Sequence, residues 1–468
     1  MTNTSQTPEQ ILNSLCEIDS LNEIYEEKFK YNTTKGIDRI NGSQFEKQAQ
    51  SQIQVIHDKC LNGSYKFSPY LELLKSKGRN KPPRVIAIPT VRDRIVLYLL
   101  KELLFQVFPE CVPRKLANTY VLDIIKLLQN QQPSEIAIFR TDIKNFYSSI
   151  NREKLINKLR SRIQSRKVIR LVQNAIETPA VPQNYRKKDK GKYREDKGIP
   201  QGLSISNILA SIYLLELDQE MNSSNYKYFR YVDDIIVFTD KSQVNNAENL
   251  LKEKINNLDL KLNENKTDTA TGDQGFEYLG YRFELPKVTV RTATIERFIH
   301  SVAAKFSRYT YSKPKYLKIY NNDIDKVKNI FMMDLNEKIT GAISESESKK
   351  RRYGWVFYFI AVNDISVFYK LDKIIASFFK RLEDFDKVPP PNLKKLSRTF
   401  YEAKHNPKGG YIHNYNSYKN VKQKTEFLRQ RGELDPEKGY SEEDINDIFD
   451  RVKRRNLSEL EKDDAHLS

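Results

Sequence analysis

Two adjacent carboxylates, Asp233 and Asp234, interrupt the apolar stretch Tyr228 to Phe238 (YFRYVDDIIVF). Val, Ile, Phe and Tyr on both sides favour extended backbone, so the pattern predicts two β-strands with the acids at the turn of a hairpin. A hairpin end holds both charges near the surface of a sheet without burying them unpaired. Taken alone, the pair is also what an ordinary Asp-rich turn looks like, because Asp accepts backbone hydrogen bonds.

A second segment adds weight to the chemical reading. Ile136 to Ile150 (IAIFRTDIKNFYSSI) is β-rich up to Asp142 and then turns polar. Asp142 is therefore expected at a strand end, where its carboxylate can face the neighbouring hairpin. Three acids from two strand ends can hold two Mg²⁺ ions, hard cations that prefer oxygen ligands, and Mn²⁺ is the expected substitute. Two such ions roughly 3.5–4 Å apart can activate an attacking hydroxyl and stabilise the leaving oxygen of a phosphoryl transfer.

Charge is consistent with a polyanionic partner. The 468-residue chain carries 79 Lys and Arg against 61 Asp and Glu, a formal charge of +18, which attracts nucleic acid. The densest basic segment, Arg186 to Lys197, reads equally as a phosphate contact and as a solvated loop. Cys16, Cys60 and Cys111 are too scattered for a metal cluster or a disulfide framework. His405 and His413 bracket a Gly-Gly turn, but no HNH-type endonuclease constellation is visible. The polar N-terminus has no signal-peptide core and no run is long enough to span a membrane, so a cytoplasmic location without a membrane partner is expected.

Several motifs in a fixed order resemble those of reverse transcriptases, in particular the bacterial group of group II intron, retron and abortive-infection enzymes. Arg84 to Arg94 (RVIAIPTVRDR) looks like the fingers motif, and Asp142 to Tyr147 (DIKNFY) like the first catalytic palm motif. Gly198 to Asn207 (GIPQGLSISN), Tyr231 to Asp234 (YVDD), Leu262 to Thr267 (LNENKT) and Phe276 to Tyr281 (FEYLGY) follow in the family's order.

The resemblance implies an α+β right-hand polymerase with fingers, a palm of antiparallel sheet and helices, and a helical thumb. It also implies roles. Asp142, Asp233 and Asp234, with the backbone carbonyl of Ile143, would bind the metals. Tyr147 would stack under the incoming sugar and crowd a 2′-hydroxyl, whereas Phe146 reads as core. Gln201 and Gly202 would contact the nucleotide, Gly because it permits close approach. Arg84 would grip the triphosphate through its rigid donor fork, with Lys75, Lys77, Arg79 and Lys81 as further charge or as plain surface bases. Lys266 would sit near the leaving pyrophosphate, and Leu279, Gly280 and Tyr281 would steady the primer end. Arg92, Asp93 and Arg94 read as structural, pairing internally to order the next helix.

The expected domains are a helical extension at 1–60, interleaved fingers and palm at 61–285, a helical thumb at 286–390 and a C-terminal RNA-binding or oligomerisation region at 391–468. Within the thumb, Ala293 to Phe306 and Asp323 to Leu335 are expected as helices, with Tyr309 to Tyr316 a connector around Pro314. Trp355, followed by Phe357, Phe359 and Ile360, is expected to anchor core. Pro389 to Pro391 should end the thumb. Gly439 to Ser468 places Ile445, Ile448, Phe449, Val452 and Leu457 at amphipathic spacing, for a lid or an oligomer contact.

The expected activity is RNA-directed DNA synthesis from dNTPs, with a template or structural noncoding RNA and a DNA product as partners. By elimination among similar proteins, a defence-associated reverse transcriptase acting against phage is favoured, alone, as a homo-oligomer or with an accessory defence protein. An intron maturase, a template-independent or protein-primed polymerase, and a non-catalytic RNA-binding scaffold are the alternatives. With 27 tyrosines, composition does not single out a priming hydroxyl.

Overall fold

The stretch around Asp233 folds as the expected hairpin in a computed structural model, which describes residues 6–76, 82–129, 131–346, 349–435 and 437–464. Tyr231 pairs directly with Asp234, leaving Val232 and Asp233 as a two-residue turn. Such turns need a positive φ at their first position, and Val232 supplies it at 58° despite its branched side chain. Lys77, Arg79 and Lys81, expected as finger bases, lie outside the described residues.

The chain divides into two compact units, Met1–Arg114 with Ala137–Thr269, and Lys115–Ile136 with Ala270–Ser468. The first unit and its borders carry β1 (Tyr70–Lys75), β2 (Arg84–Ile88), β3 (Ile136–Asp142), β4 (Ala180–Val181), β5 (Lys227–Tyr231), β6 (Asp234–Asp240) and β7 (Asp268–Thr271). These form a three-stranded sheet of order β2-β1-β4 and a four-stranded sheet of order β5-β6-β3-β7.

Strand β3 is buried along nearly its whole length, as a central strand covered on both faces must be. Ile235 and Val237 of β6 share one core with Ile208, Leu209 and Ile212 of the Ser206–Tyr213 helix. The apolar run from Ile208 to Leu217 spans two helices, Ser206–Tyr213 and Leu215–Ser223, which meet at Leu214.

The Val91–Val107 helix fills the same core with Val91, Ile95, Leu99 and Leu103. Its first turn is fixed by Asp93, fully buried, whose carboxylate accepts from the Tyr65 hydroxyl at 2.7 Å, the Thr90 hydroxyl at 2.8 Å and the Ser68 amide at 3.1 Å. Arg94 donates to the Thr34 carbonyl at 3.0 Å and Arg92 to Gln52 at 3.2 Å. Asp93 serves the helix start, whereas Arg92 and Arg94 tie the helix to other segments, so the three are structural but do not pair with one another as expected.

The second unit contains the antiparallel strands β8 (Phe276–Tyr278), β9 (Tyr281–Glu284) and β10 (Lys287–Val290), and a sheet of order β12-β11-β13 built from β11 (Ala342–Ser346), β12 (Lys349–Tyr353) and β13 (His413–Asn414). The Ser-Glu and Lys-Arg string after Gly341 is therefore a hairpin, β11 pairing with β12 from Ala342–Tyr353 to Ser346–Lys349.

Tyr309 to Tyr316 is not a connector. One 28-residue helix, Thr292–Ile319, runs straight through Pro314. Proline costs that helix one hydrogen bond, but side-chain contacts in the turns just before it hold it. The Tyr309 ring packs 4.5 Å from Phe331, its hydroxyl donates to Asp384 at 3.0 Å, and Lys313 pairs with the same carboxylate at 2.8 Å.

Trp355 is core, stacked 4.5 Å from Phe298 and tilted against Phe359 at 4.7 Å. The tail forms the Glu442–Asp464 helix, and its stripe of Ile445, Phe449, Val452 and Leu457 packs with Tyr415 and Phe427 in the unit's own core. That stripe packs within the unit.

Candidate active site

Asp142 ends β3, and the chain there is tied to its neighbours by main-chain bonds. The Ile143 amide donates to the Asp233 carbonyl at 3.2 Å, and the Asn263 amide donates to the Asp142 carbonyl at 2.8 Å. Ile143 also forms an isolated antiparallel bridge with Leu262. These contacts set the end of β3 between the Asp233 turn and the Leu262–Thr267 segment, which carries Lys266.

The carboxylate of Asp142 is almost wholly buried. One oxygen accepts an ion-paired hydrogen bond from the Lys266 ammonium, while the other is buried with no hydrogen-bond partner among the described residues. Asp233 stands close enough for the two acids to interact. Burial first, and then the negative charge of Asp142, push the Asp233 carboxyl above its usual range, opposed by its own backbone amide, Lys266 and Arg84. Arg84, at the start of β2, is exposed and pairs across the sheet with Lys75.

Of the three acids expected to converge, the structure brings Asp142 and Asp233 together. Asp234 begins β6 opposite Tyr231, and among the described residues no three His, Cys, Asp or Glu side chains stand as a metal-holding group. The donor set of Asp142 and Asp233 is nonetheless all oxygen, which suits a hard divalent cation. A buried carboxylate oxygen without a donor beside it needs a partner that neutralises it, so these two residues fit such an ion.

Tyr147 follows the left-handed turn at Asn145, φ 50°. Its carbonyl accepts from the Ile199 amide at 2.8 Å, and its hydroxyl donates to the Asn207 side chain at 2.5 Å. Burial raises the phenol pKa, and the nearby Asp233 charge adds to that. Phe146 beside it is core.

Gln201 and Gly202 lie against β2. The Ala87 amide donates to the Gln201 carbonyl at 2.7 Å. Gly202 has φ 102°, and a Cβ there would sit 2.8 Å from Ile86 Cγ2 and 2.9 Å from the Ala87 carbonyl oxygen. Asp142, Asp233, Lys266, Arg84, Tyr147, Gln201 and Gly202 all belong to the first unit. Leu279, Gly280 and Tyr281 belong to the second, where Leu279 and Gly280 form the β8–β9 turn with φ 47° and 81°. There the Tyr358 hydroxyl donates to the Leu279 carbonyl at 3.0 Å, and the Tyr281 hydroxyl to the Tyr358 carbonyl.

Two supporting groups escaped the sequence reading. Arg230 grips Asp218 through two hydrogen bonds and donates a third, of 2.7 Å, to the Val232 carbonyl, bracing the strained turn. Asn207 holds the Tyr147 hydroxyl. Arg230 lies inside the YFRYVDD string and Asn207 inside the GIPQGLSISN string, but neither pattern reveals its partner, 12 and 60 residues away respectively.

The described helices include none long and apolar enough to cross a membrane. Residues 74–283 match the family model for reverse transcriptase (RNA-dependent DNA polymerase). A reverse-transcriptase domain is thus present over that part of the chain, and it contains each of the ordered motifs from Arg84 to Tyr281. The chain is similar to Protein YkfC of Escherichia coli (strain K12), 23% identical over 297 residues, covering 53% of this chain and 75% of the relative. Among solved structures it is similar to an apo telomerase from Candida tropicalis truncated from its C-terminal domain, with 16% identity and a TM-score of 0.37. That match covers 54% of this chain and 61% of the telomerase chain.

Proposed function

We propose that the reverse-transcriptase domain is an active RNA-directed DNA polymerase of right-hand form, in which Asp142 and Asp233 make the catalytic centre and Asp234 assists. One observation carries this reading. Two acids, Asp142 at a strand end and Asp233 in the hairpin turn, lie close enough to interact, the first with an unpartnered buried oxygen and an ion pair to Lys266, with the charge of Arg84 also within electrostatic reach of Asp233.

In the reaction, a primer 3′-hydroxyl, or a protein hydroxyl in the first step, loses its proton and bonds to the α-phosphorus of a dNTP. The bond from that phosphorus to the β-phosphate bridging oxygen breaks, and pyrophosphate leaves. Divalent cations held by Asp142, Asp233, Asp234 and the Ile143 carbonyl would supply activation of the attacking oxygen and charge neutralisation. Arg84 binds the triphosphate as a fixed donor fork. Lys266 neutralises charge on the pyrophosphate side. Tyr147 lies under the sugar, and Gly202 keeps the chain close to β2 beside it. Leu279 to Tyr281 steady the primer end.

The biological use we favour is DNA synthesis in antiphage defence with a noncoding RNA, on the likeness of the motifs to that bacterial group. Purified protein with Mg²⁺ incorporates labelled dNTPs on this reading, and the Asp233→Ala, Asp234→Ala double variant does not. Equal incorporation by the double variant would sink the assignment. Sequencing the product with its copurifying RNA separates templated from untemplated synthesis, and DNA linked to tyrosine or serine would establish protein priming.

A further inference from the structure

The peptide that joins Val232 to Asp233 is held at both ends. Its carbonyl, on Val232, accepts from the Arg230 guanidinium at 2.7 Å. Its amide, on Asp233, interacts with the carboxyl of its own residue. The next carbonyl, of Asp233, accepts from the Ile143 amide at 3.2 Å. Both peptides that flank Asp233 are thereby pinned, and the direction of its side chain with them.

Arg230 is in turn fixed from outside the hairpin. Asp218, in the Leu215–Ser223 helix, accepts from the guanidinium through both carboxylate oxygens and from the Tyr228 hydroxyl at 2.9 Å. The Arg230 side chain is 10% exposed and that of Asp218 25%, so salt screens the pair little. The turn needs such a hold. Its φ is positive at Val232 and not at Asp233, the sign pattern of a II′ hairpin turn, whose first position is normally glycine. A β-branched residue resists that backbone. The alternative I′ form differs by a half-rotation of the same peptide that Arg230 grips.

We propose that Arg230, oriented by Asp218, is a positioning residue for the reaction: it locks the peptide between Val232 and Asp233 and so holds the Asp233 carboxylate within reach of Asp142. The inference rests on the polymerase reading above and adds to it a pair of residues that act through the turn rather than on the substrate. Without the guanidinium, that peptide rotates to relieve Val232, and Asp233 turns with it. The carboxyl then loses its place beside Asp142, and a cation that needs both acids is held less well.

The test compares the full chain as wild type, Arg230→Gln, Val232→Gly and the double variant. Each is read by Mn²⁺ calorimetry without nucleotide, and by kcat and KM for dNTP incorporation with Mg²⁺. Arg230→Gln should weaken Mn²⁺ binding and lower kcat by about 10–100-fold, the effect of losing a group that orients a metal ligand, while KM for dNTP changes little. Val232→Gly retains Mn²⁺ binding and incorporation, because glycine takes a positive φ without steric cost. In that background the loss on adding Arg230→Gln should shrink to less than about threefold, since the peptide no longer gains by rotating. An arginine that only stabilises the fold would cost the same in both backgrounds.

Equal losses in the two backgrounds overturn the proposal. So does an Arg230→Gln chain that matches the wild type, or a Val232→Gly chain without incorporation, because the site would then depend on the valine side chain rather than on the direction of its carbonyl. Should Arg230→Gln fail to fold, Asp218→Asn, which removes the charge that orients the guanidinium, is read in its place by the same criteria. A wild type that binds Mn²⁺ yet incorporates no dNTP overturns the polymerase reading itself, an outcome distinct from an active wild type with equal losses.

Discussion

Lys266 sets its ammonium on one carboxylate oxygen of Asp142, 124 residues away, while the other oxygen of that carboxylate stays buried without a hydrogen-bond partner among the described residues. The lysine side chain is 61% exposed, so this ion pair holds Asp142 only weakly. Removing the lysine frees the carboxylate for a cation. Lys266→Gln should bind Mn²⁺ roughly two- to fivefold more tightly than the wild type by calorimetry, the change that under about 1 kcal/mol produces for a pair whose lysine end is exposed. Weaker binding by the variant would show that Lys266 does not compete for Asp142.

Asp233 should be a site where function costs stability. Burial and the facing Asp142 raise its carboxyl pKa above the unperturbed 3.8. A carboxyl raised on folding favours the folded state only when protonated, so its ionised form destabilises the fold at neutral pH. Asp233→Asn removes that charge and should gain on the order of 1 kcal/mol in urea unfolding without divalent ions. The gain should vanish as the pH falls toward 3.8. Incorporation should be abolished. A variant no more stable than the wild type at pH 7 would contradict this account.

Gly202→Ala forces a side chain onto a residue with φ 102° and drives its Cβ to 2.9 Å from the Ala87 carbonyl oxygen, an atom of the backbone that cannot rotate away. The expected loss is about 1–3 kcal/mol, accompanied by a fall in incorporation although every acid remains. Wild-type stability would mean that β2 shifts freely.

Asp93→Ala strips the acceptor from the Tyr65 hydroxyl, the Thr90 hydroxyl and the Ser68 amide. Leaving such buried donors unpaired should cost about 3 kcal/mol by denaturant unfolding. A loss near zero would mean that water replaces the carboxylate.

In the second unit, Glu337 accepts from Arg431, from the Tyr415 hydroxyl at 2.6 Å and from Asn456 at 3.3 Å, and both ions of the pair are buried. Burial alone would raise the Glu337 carboxyl, but the Arg431 charge and these contacts leave it below 4.5. Its stabilisation is present above 4.5 and is lost as the pH falls through the lowered folded value. His413, held neutral by burial, has its pKa lowered from 6.5 and costs stability as the pH drops below that value. Arg431→Ala strands the carboxylate and should cost about 3–5 kcal/mol. Denaturant unfolding should show this loss at pH 7 and show it shrinking as the pH falls below 4.5, because burial without Arg431 raises the carboxyl and protonation relieves the stranded charge. A loss independent of pH would remove Glu337 from the account.

Features written as local periodicity were legible in advance. The alternation around Asp233 gave the hairpin, the apolar run before Asp142 gave a strand ending at that residue, and the spacing of Ile445, Phe449 and Val452 gave the last helix. What sequence alone missed depends on distant partners. Pro314 reads as a break because proline lacks an amide, yet Asp384 and Phe331 hold the helix through it. The charged hairpin β11–β12 carries no apolar alternation, and its pairing with β13 appears only in the folded chain. Val232 at positive φ looks improbable until Arg230, itself gripped by Asp218, is seen bracing its carbonyl.

The sequence by itself determined the identity, order and spacing of the candidate residues, because residue type and spacing are properties of the chain. Tertiary structure decided which of them meet. It brought Asp233 within electrostatic reach of Asp142 and Lys266, left no three-acid metal-holding group among the described residues, and spent the Tyr147 hydroxyl on Asn207. The physical reason is that charge interaction and hydrogen bonding act over a few ångströms of space, and the distances between these groups are set by strand pairing and core packing rather than by their separation along the chain.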